Sequence, residues 1–129
     1  MRLNCAIVDD EPLALELLRS YVEKTSFLRL VGRYSSAVQA MTEIPLREEV
    51  HVLFLDIQMP ELNCWEFSRM VSPDTRIIFT TAFGQYALDS YKVNALDYLL
   101  KPISYVDFLQ SVNKAVQWYE LKQKAETIC

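Results

Sequence analysis

The sequence predicts an α/β domain: a doubly wound, parallel sheet of five strands with helices on both faces. Apolar runs rich in Ile, Val, Leu and Phe recur along the chain and have the length of strands buried on both faces. Segments with apolar residues at helical spacing lie between these runs. This alternation of strand and helix is typical of a parallel sheet whose strands are joined by right-handed crossovers.

The first half of the chain predicts two strands and two helices. Leu3–Val8 is the first strand, and Pro12 stands where a helix best accepts proline, in its first turn. The first helix carries apolar residues at helical spacing: Leu13, Leu17, Leu18, Tyr21 and Val22. Phe27–Val31 is the second strand, and Ser35 or Ser36 can cap a short second helix.

The second half continues the alternation. Its predicted elements are, in order, a strand at Val50–Leu55, a helix around Trp65–Val71, a strand at Arg76–Phe79, a short helix over about Gln85–Tyr91, a strand at Ala95–Leu100 and a last helix from near Ser104. The tail Glu120–Glu126 is polar all round, which is typical of a linker or a helix extension. We therefore place the domain at residues 1–119 and the extension or linker at residues 120–129.

The composition limits the classes of function. The 129 residues suffice for one domain with a core, and the hydrophobic share of 51% is that of a globular chain. The net charge of −4, without a cluster of Lys or Arg, argues against direct nucleic-acid binding by this segment. The two glycines exclude the glycine-rich phosphate loops of Walker and dinucleotide-binding proteins.

The compartment is predicted from what the sequence lacks. No apolar run approaches the roughly 20 residues of a membrane span, and the first residues do not have the layout of a signal peptide. The three cysteines and the single histidine, His51, do not have the spacing of a zinc site. We therefore expect a cytoplasmic, reducing environment and no contact with a membrane.

Polar residues follow the predicted strands at the points where these end. Asp9-Asp10 follows the first strand, Asp56 the third, Thr80-Thr81 the fourth and Lys101 the fifth. Ligands of parallel α/β sheets bind outside the carboxyl ends of the strands, so these side chains are expected at one edge. Acids suit a hard cation, and a hydroxyl with an ammonium suits a phosphoryl group. The pattern therefore predicts metal-assisted phosphoryl chemistry on a carboxylate.

The acidic residues predict the cation. Asp9, Asp10 and Asp56 would repel one another at close range, and a divalent cation removes that repulsion. Oxygen ligands with room for water favour Mg²⁺ over zinc.

Each residue also has a simpler interpretation. The acids after the first strand could only cap the first helix, where negative charge suits the helix dipole. Lys101 could be a solvated loop lysine, although a cis bond to Pro102 would turn it inward. Thr81 could be an ordinary β-branched strand residue, a role that Thr80 also fits.

The combination and order of these residues resemble the receiver domain of bacterial two-component response regulators. The matching residues are Asp9-Asp10, the run Leu55–Pro60, Thr81-Ala82, Tyr98 and Lys101-Pro102, and the resemblance extends from Leu3 to about Val116. It implies a flavodoxin-like strand order, 2-1-3-4-5. The segments Ile77–Phe83 and Asn94–Ile103 look most like receivers joined to a LytTR-type DNA-binding domain.

The resemblance implies a role for each matching residue. Asp56 corresponds to the phosphoacceptor. Asp10 corresponds to a direct ligand of Mg²⁺, Asp9 to an acid that reaches the metal through water, and Gln58 to the residue whose backbone carbonyl binds it. Thr81 and Lys101 correspond to the phosphoryl-binding hydroxyl and ammonium, and Tyr98, with Thr81, to the switch.

The resemblance also implies partners and an output. A sensor histidine kinase would supply the phosphoryl group, and the phosphorylated domain would switch a surface that controls transcription. We expect this surface on the fourth predicted helix, the fifth strand and the last helix, where exposed rings of Tyr86, Tyr91 or Tyr105 would support a phosphorylation-enhanced homodimer. DNA would be bound only through an effector domain outside this segment.

One position departs from the family pattern, and two other classes were weighed. Receivers usually have glycine where this chain has Cys64, which leaves the geometry of that loop open. A dehalogenase-type phosphatase would need a second aspartate where Gln58 stands. A flavodoxin-like electron carrier would need a hydroxyl-rich phosphate loop after the first strand, where this chain has Asp-Asp-Glu-Pro.

Overall fold

The architecture is a five-stranded parallel sheet with helices on both faces. It was obtained as a computed structural model, which describes residues 2–44, 49–58, 69, 71–82 and 95–128. The described elements are β1 Leu3–Val8, α1 Pro12–Lys24, β2 Leu28–Tyr34, α2 Ala37–Glu43, β3 Val52–Asp56, β4 Arg76–Thr81, β5 Asp97–Leu100 and α3 Tyr105–Ile128. The strand order is β2-β1-β3-β4-β5, and all pairs are parallel. The predicted fold class and strand order are confirmed.

The helix signals in the sequence correspond to the observed helix ends. Pro12 is the first residue of α1, and Ser36 is the N-cap of α2, where its hydroxyl accepts a hydrogen bond from the backbone N–H of Gln39. α3 continues through the polar tail to Ile128, so residues 120–128 are a helix extension. None of the described helices is long and apolar enough to cross a membrane. The helices predicted around Trp65–Val71 and Gln85–Tyr91 fall on residues outside the described part.

Two strands differ in length from the prediction. β2 extends to Tyr34, three residues beyond the predicted end, because β1 continues to pair with it as far as Val8 opposite Tyr34. A side chain at Gly32 would collide with the Tyr34 ring, since its Cβ would lie 2.6 Å from the phenol oxygen. β5 begins at Asp97 rather than Ala95.

Two hydrophobic clusters, one on each face of the sheet, form the core. The first joins α1 and α3 to the sheet, and its fully buried residues include Ile7, Leu18, Phe54, Phe108 and Val112. The Phe54 and Phe108 rings stack with centroids 5.3 Å apart. The second cluster contains Val8, Ala40, Leu53, Leu55 and Phe79. Burial of both faces explains why the central strands are uninterrupted apolar runs.

Candidate functional site

The strand register brings the ends of four strands to the same edge of the sheet. Val8 lies opposite Leu55, Asp56 opposite Thr80, and Thr81 opposite Leu100. Asp9 directly follows β1, Asp56 and Thr81 end β3 and β4, and Lys101 directly follows β5. The sequence prediction that these residues share one edge is confirmed.

Three carboxylates lie close together at this edge. Asp9, Glu11 and Asp56 each place one oxygen so that all three atoms lie within 4.8 Å of one another. Asp9 and Asp56 are buried, whereas Glu11 is largely exposed. The backbone N–H of Glu11 donates to Asp9 Oδ1 at 2.9 Å, and that of Gln58 donates to Asp56 Oδ1 at 3.0 Å. These two hydrogen bonds orient the buried carboxylates toward each other.

Glu11 is a member of this cluster that the sequence analysis did not assign to the site. We considered the acids after β1 as possible helix caps, but Glu11, the N-cap of α1, forms no capping hydrogen bond with its side chain. Its carboxylate instead contacts Lys101. Asp10, predicted as a direct metal ligand, is half-buried and is not one of the three clustered residues. A DDE run does not reveal which of its carboxylates points toward the next strand.

Lys101 connects all three carboxylates. Its ammonium nitrogen lies 2.9 Å from Asp9 Oδ2, 2.8 Å from Glu11 Oε1 and 3.4 Å from Asp56 Oδ2. The side chain is only 12% exposed, so the interpretation as a solvated loop lysine is wrong. The Lys101–Pro102 bond is cis. Burial lowers the lysine pKa, but hydrogen bonds to Glu11 and Asp9 and the nearby negative charges outweigh it, and the net shift is upward.

The buried charge at this edge is not balanced. One ammonium faces three carboxylates, which leaves an excess of negative charge. Burial and the neighbouring Asp9 raise the pKa of Asp56 from 3.8 to about 6, although the Gln58 N–H and Lys101 oppose the shift. Asp9 Oδ2 contacts the Lys101 ammonium but has no well-directed hydrogen bond among the described residues. Such a set of clustered oxygen ligands and uncompensated charge fits a small divalent cation.

Thr81 and Gln58 meet on the other side of Asp56. Thr81 is buried, and its hydroxyl donates to Gln58 Oε1 at 3.3 Å. The backbone N–H of Ala82 donates to the same oxygen at 3.1 Å. The sequence analysis assigned Gln58 only through its backbone carbonyl, because the direction of a side chain two residues beyond a strand does not follow from the pattern.

The residues assigned to the switch are only partly described. Tyr98, next to Leu99 in β5, is half-buried against the second hydrophobic cluster. The prediction of an exposed Tyr105 ring is wrong. This ring packs between Tyr21 and Phe108, and its hydroxyl lies 2.9 Å from Thr25 Oγ1, because α1 and α3 lie side by side on the sheet. Tyr86, Tyr91 and Cys64 lie outside the described residues.

Buried acids, a lysine that reaches them and a neighbouring hydroxyl, all at the carboxyl edge of a β2-β1-β3-β4-β5 sheet, define a receiver-type signalling domain. The chain belongs to the response regulator receiver domain family, whose family model matches residues 5–113. It is therefore the receiver domain of a response regulator, and the resemblance seen in the sequence is confirmed.

Relatives and solved structures agree with this assignment. The transcriptional regulatory protein BtsR of Escherichia coli K12 is 47% identical over 104 residues, which cover 78% of this chain and 43% of that protein. An uncharacterized response regulatory protein of Shewanella oneidensis is 38% identical over 117 residues, 89% of this chain and 49% of that one. The chain thus spans about half the length of these relatives.

Two solved receiver structures have closely similar folds. The REC domain of AraT, a response regulator from Geobacillus stearothermophilus, is 27% identical with a TM-score of 0.83, and the match covers 95% of this chain and 99% of that one. The response regulatory domain of mrkE from Klebsiella pneumoniae is 24% identical with a TM-score of 0.82, covering 92% and 99%. The second likeness shows the fold alone.

Proposed function

We propose that this receiver domain accepts a phosphoryl group on Asp56. The observation that carries the proposal is the position of its carboxylate: 1% exposed, at the end of the third strand, and within 3.4 Å of the Lys101 ammonium. A carboxylate whose pKa is raised to about 6 is still ionised near neutral pH and is therefore available as a nucleophile. In the transfer, a carboxylate oxygen of Asp56 forms a bond to phosphorus while the bond from phosphorus to the donor breaks.

Mg²⁺ is the cofactor that the carboxylates would hold. Asp9, Asp10 and Asp56 are the acids we assign to it, together with the backbone carbonyl of Gln58, and Glu11 lies close enough to take part. Oxygen ligands are what this cation prefers. When bound, the cation supplies positive charge to the acceptor carboxylate and to the phosphoryl oxygens.

Lys101 and Thr81 would hold the transferred group. The ammonium already lies between the acids, so a small movement would bring it to a phosphoryl oxygen on Asp56. The Thr81 hydroxyl is a donor at the end of the adjacent strand. Because both groups are fixed by the sheet before the reaction, the domain would accelerate its own phosphorylation. It would also assist hydrolysis, in which water attacks phosphorus, the bond to Asp56 breaks and inorganic phosphate leaves.

The partners follow from the family and the direction of signalling. A sensor histidine kinase in the cytoplasm would donate the phosphoryl group. Movement of Thr81 toward this group would make room for the Tyr98 ring, and the resulting surface would favour a homodimer. Such a shift needs only a few kcal/mol of differential stability between two states. We assign residues 1–119 to the receiver and residues 120–129 to a helical extension toward an effector domain of LytTR type, through which the regulator would control transcription by binding DNA.

Phosphorylation with acetyl phosphate tests the proposal. Intact-mass spectrometry should show one added phosphoryl group when Mg²⁺ or Mn²⁺ is present and none when a chelator removes the cation. Asp56→Asn should abolish the added mass, whereas Asp107→Asn, a change of an exposed aspartate on the last helix, should leave it unchanged. Phosphorylation of Asp56→Asn, or an equal yield with the chelator, would show that the site is assigned wrongly.

A further inference from the structure

The side chain of Gln58 lies where a phosphoryl oxygen would otherwise be held. Its amide oxygen accepts two hydrogen bonds, from the Thr81 hydroxyl at 3.3 Å and from the Ala82 backbone N–H at 3.1 Å. Its own backbone N–H donates to Asp56 Oδ1. One residue therefore contacts both the proposed acceptor carboxylate and the two nearest donors of the neighbouring strand.

An oxygen that takes two donors from consecutive residues imitates one oxygen of an anion. The Thr81 hydroxyl and the Ala82 N–H follow each other at the end of β4, beside the end of β3, where Asp56 lies opposite Thr80. A group attached to Asp56 would meet the same donors. Two acceptors cannot occupy this position together, so a phosphoryl oxygen would have to displace the amide oxygen.

We propose that the Gln58 side chain is an internal substitute for the phosphoryl group, which pairs Thr81 and Ala82 in the unphosphorylated domain and lowers its affinity for a phosphoryl group. This inference rests on the proposed function of Asp56. It gives the Gln58 side chain a role separate from that of its backbone carbonyl. A phosphoryl oxygen still wins the competition, because a hydrogen bond to a charged acceptor is roughly twice as strong as one to a neutral amide.

The expected effect is a change in affinity for a phosphoryl mimic. Gln58→Met keeps the length of the side chain and removes its acceptor, so the mimic no longer competes for the donors of Thr81 and Ala82. The loss of one net hydrogen bond in the unliganded state corresponds to about fivefold tighter binding. Binding of Mg²⁺ alone should change little, because the backbone carbonyl of Gln58 is retained.

Titration with beryllofluoride in the presence of Mg²⁺, followed by ¹⁹F NMR, measures this affinity. Gln58→Met and Gln58→Asn, whose shorter amide does not reach the donors, should both bind the mimic several-fold more tightly than the natural chain. Gln39→Met, a change of an exposed glutamine on α2, is the matched control and should bind like the natural chain. Equal or weaker binding by both Gln58 variants would overturn the inference, while the proposed function would stand. Failure of every folded variant and of the natural chain to bind would overturn both.

Discussion

The cost of keeping Asp56 ionised gives a prediction that can be worked out from the structure. Its carboxyl is 1% exposed, and its pKa is raised from 3.8 to about 6, mainly because burial disfavours the charged form. The folded chain therefore binds this proton more tightly than the unfolded chain does. Above both values the carboxylate is ionised in either state, and at about 1.4 kcal/mol per pH unit the folded state is destabilised by about 3 kcal/mol.

The sign of the pH dependence follows from the same values. As the pH falls through 6 toward 3.8, the folded carboxyl takes up its proton and this cost disappears. Asp56→Asn replaces the carboxyl by a neutral group of the same shape. We expect the variant to gain up to about 3 kcal/mol of unfolding free energy over the natural chain near pH 8, and little of this near pH 4.

Urea unfolding followed by circular dichroism measures this difference. The measurement needs a chelator throughout, because a bound cation would neutralise the carboxylate and hide its cost. Glu120→Gln, a change of an exposed acid on α3, is the control and should show a difference that does not vary with pH. An Asp56→Asn difference that is constant across the range, or that shrinks as the pH rises, would refute the reasoning. It would mean that Lys101 compensates the buried charge fully.

Two further predictions concern the loop and the switch. Cys64→Gly should raise the unfolding free energy by about 0.5–1 kcal/mol if this loop position needs a left-handed backbone, and thermal melts of the two proteins would show it. A clear loss of stability would instead mean that Cys64 has an ordinary backbone conformation and packs usefully. Tyr98→Ala should prevent the dimer that we expect with beryllofluoride, as measured by sedimentation. A dimer that persists in this variant would exclude Tyr98 from the switch.

The sheet edge could be predicted from sequence because strand ends are visible in it. Apolar runs stop where buried strands stop, and the polar residues that follow must share an edge in a parallel sheet. Asp9, Asp56 and Lys101 were placed correctly on this argument alone. The same argument failed for the end of the second strand, because Gly32 and Arg33 interrupt the apolar run while main-chain pairing continues to Tyr34.

The side-chain contacts of the site could not be predicted in this way. Glu11 and Gln58 both lie two residues beyond the last strand residue or its neighbour, where the chain leaves the regular backbone. Their direction depends on local turns, namely the hydrogen bonds from Glu11 N–H to Asp9 and from Gln58 N–H to Asp56. A pattern of residue types does not contain this information. Tyr105 failed for a related reason, because its burial depends on how closely α1 approaches α3.

The contacts of Glu11 and Gln58 have one consequence for how the proposed reaction would work. In the unphosphorylated domain, the Lys101 ammonium is paired with Glu11 and the Thr81 hydroxyl with Gln58, so neither phosphoryl-binding group waits unpaired. The buried Asp56 carboxylate, by contrast, carries an electrostatic cost that a cation and a phosphoryl-bound Lys101 would relieve. Binding energy would thus be gained mainly at Asp56 and partly lost at the two pairs that must open. A domain built this way responds to phosphorylation by exchanging contacts, and the balance between these terms sets how far its equilibrium shifts.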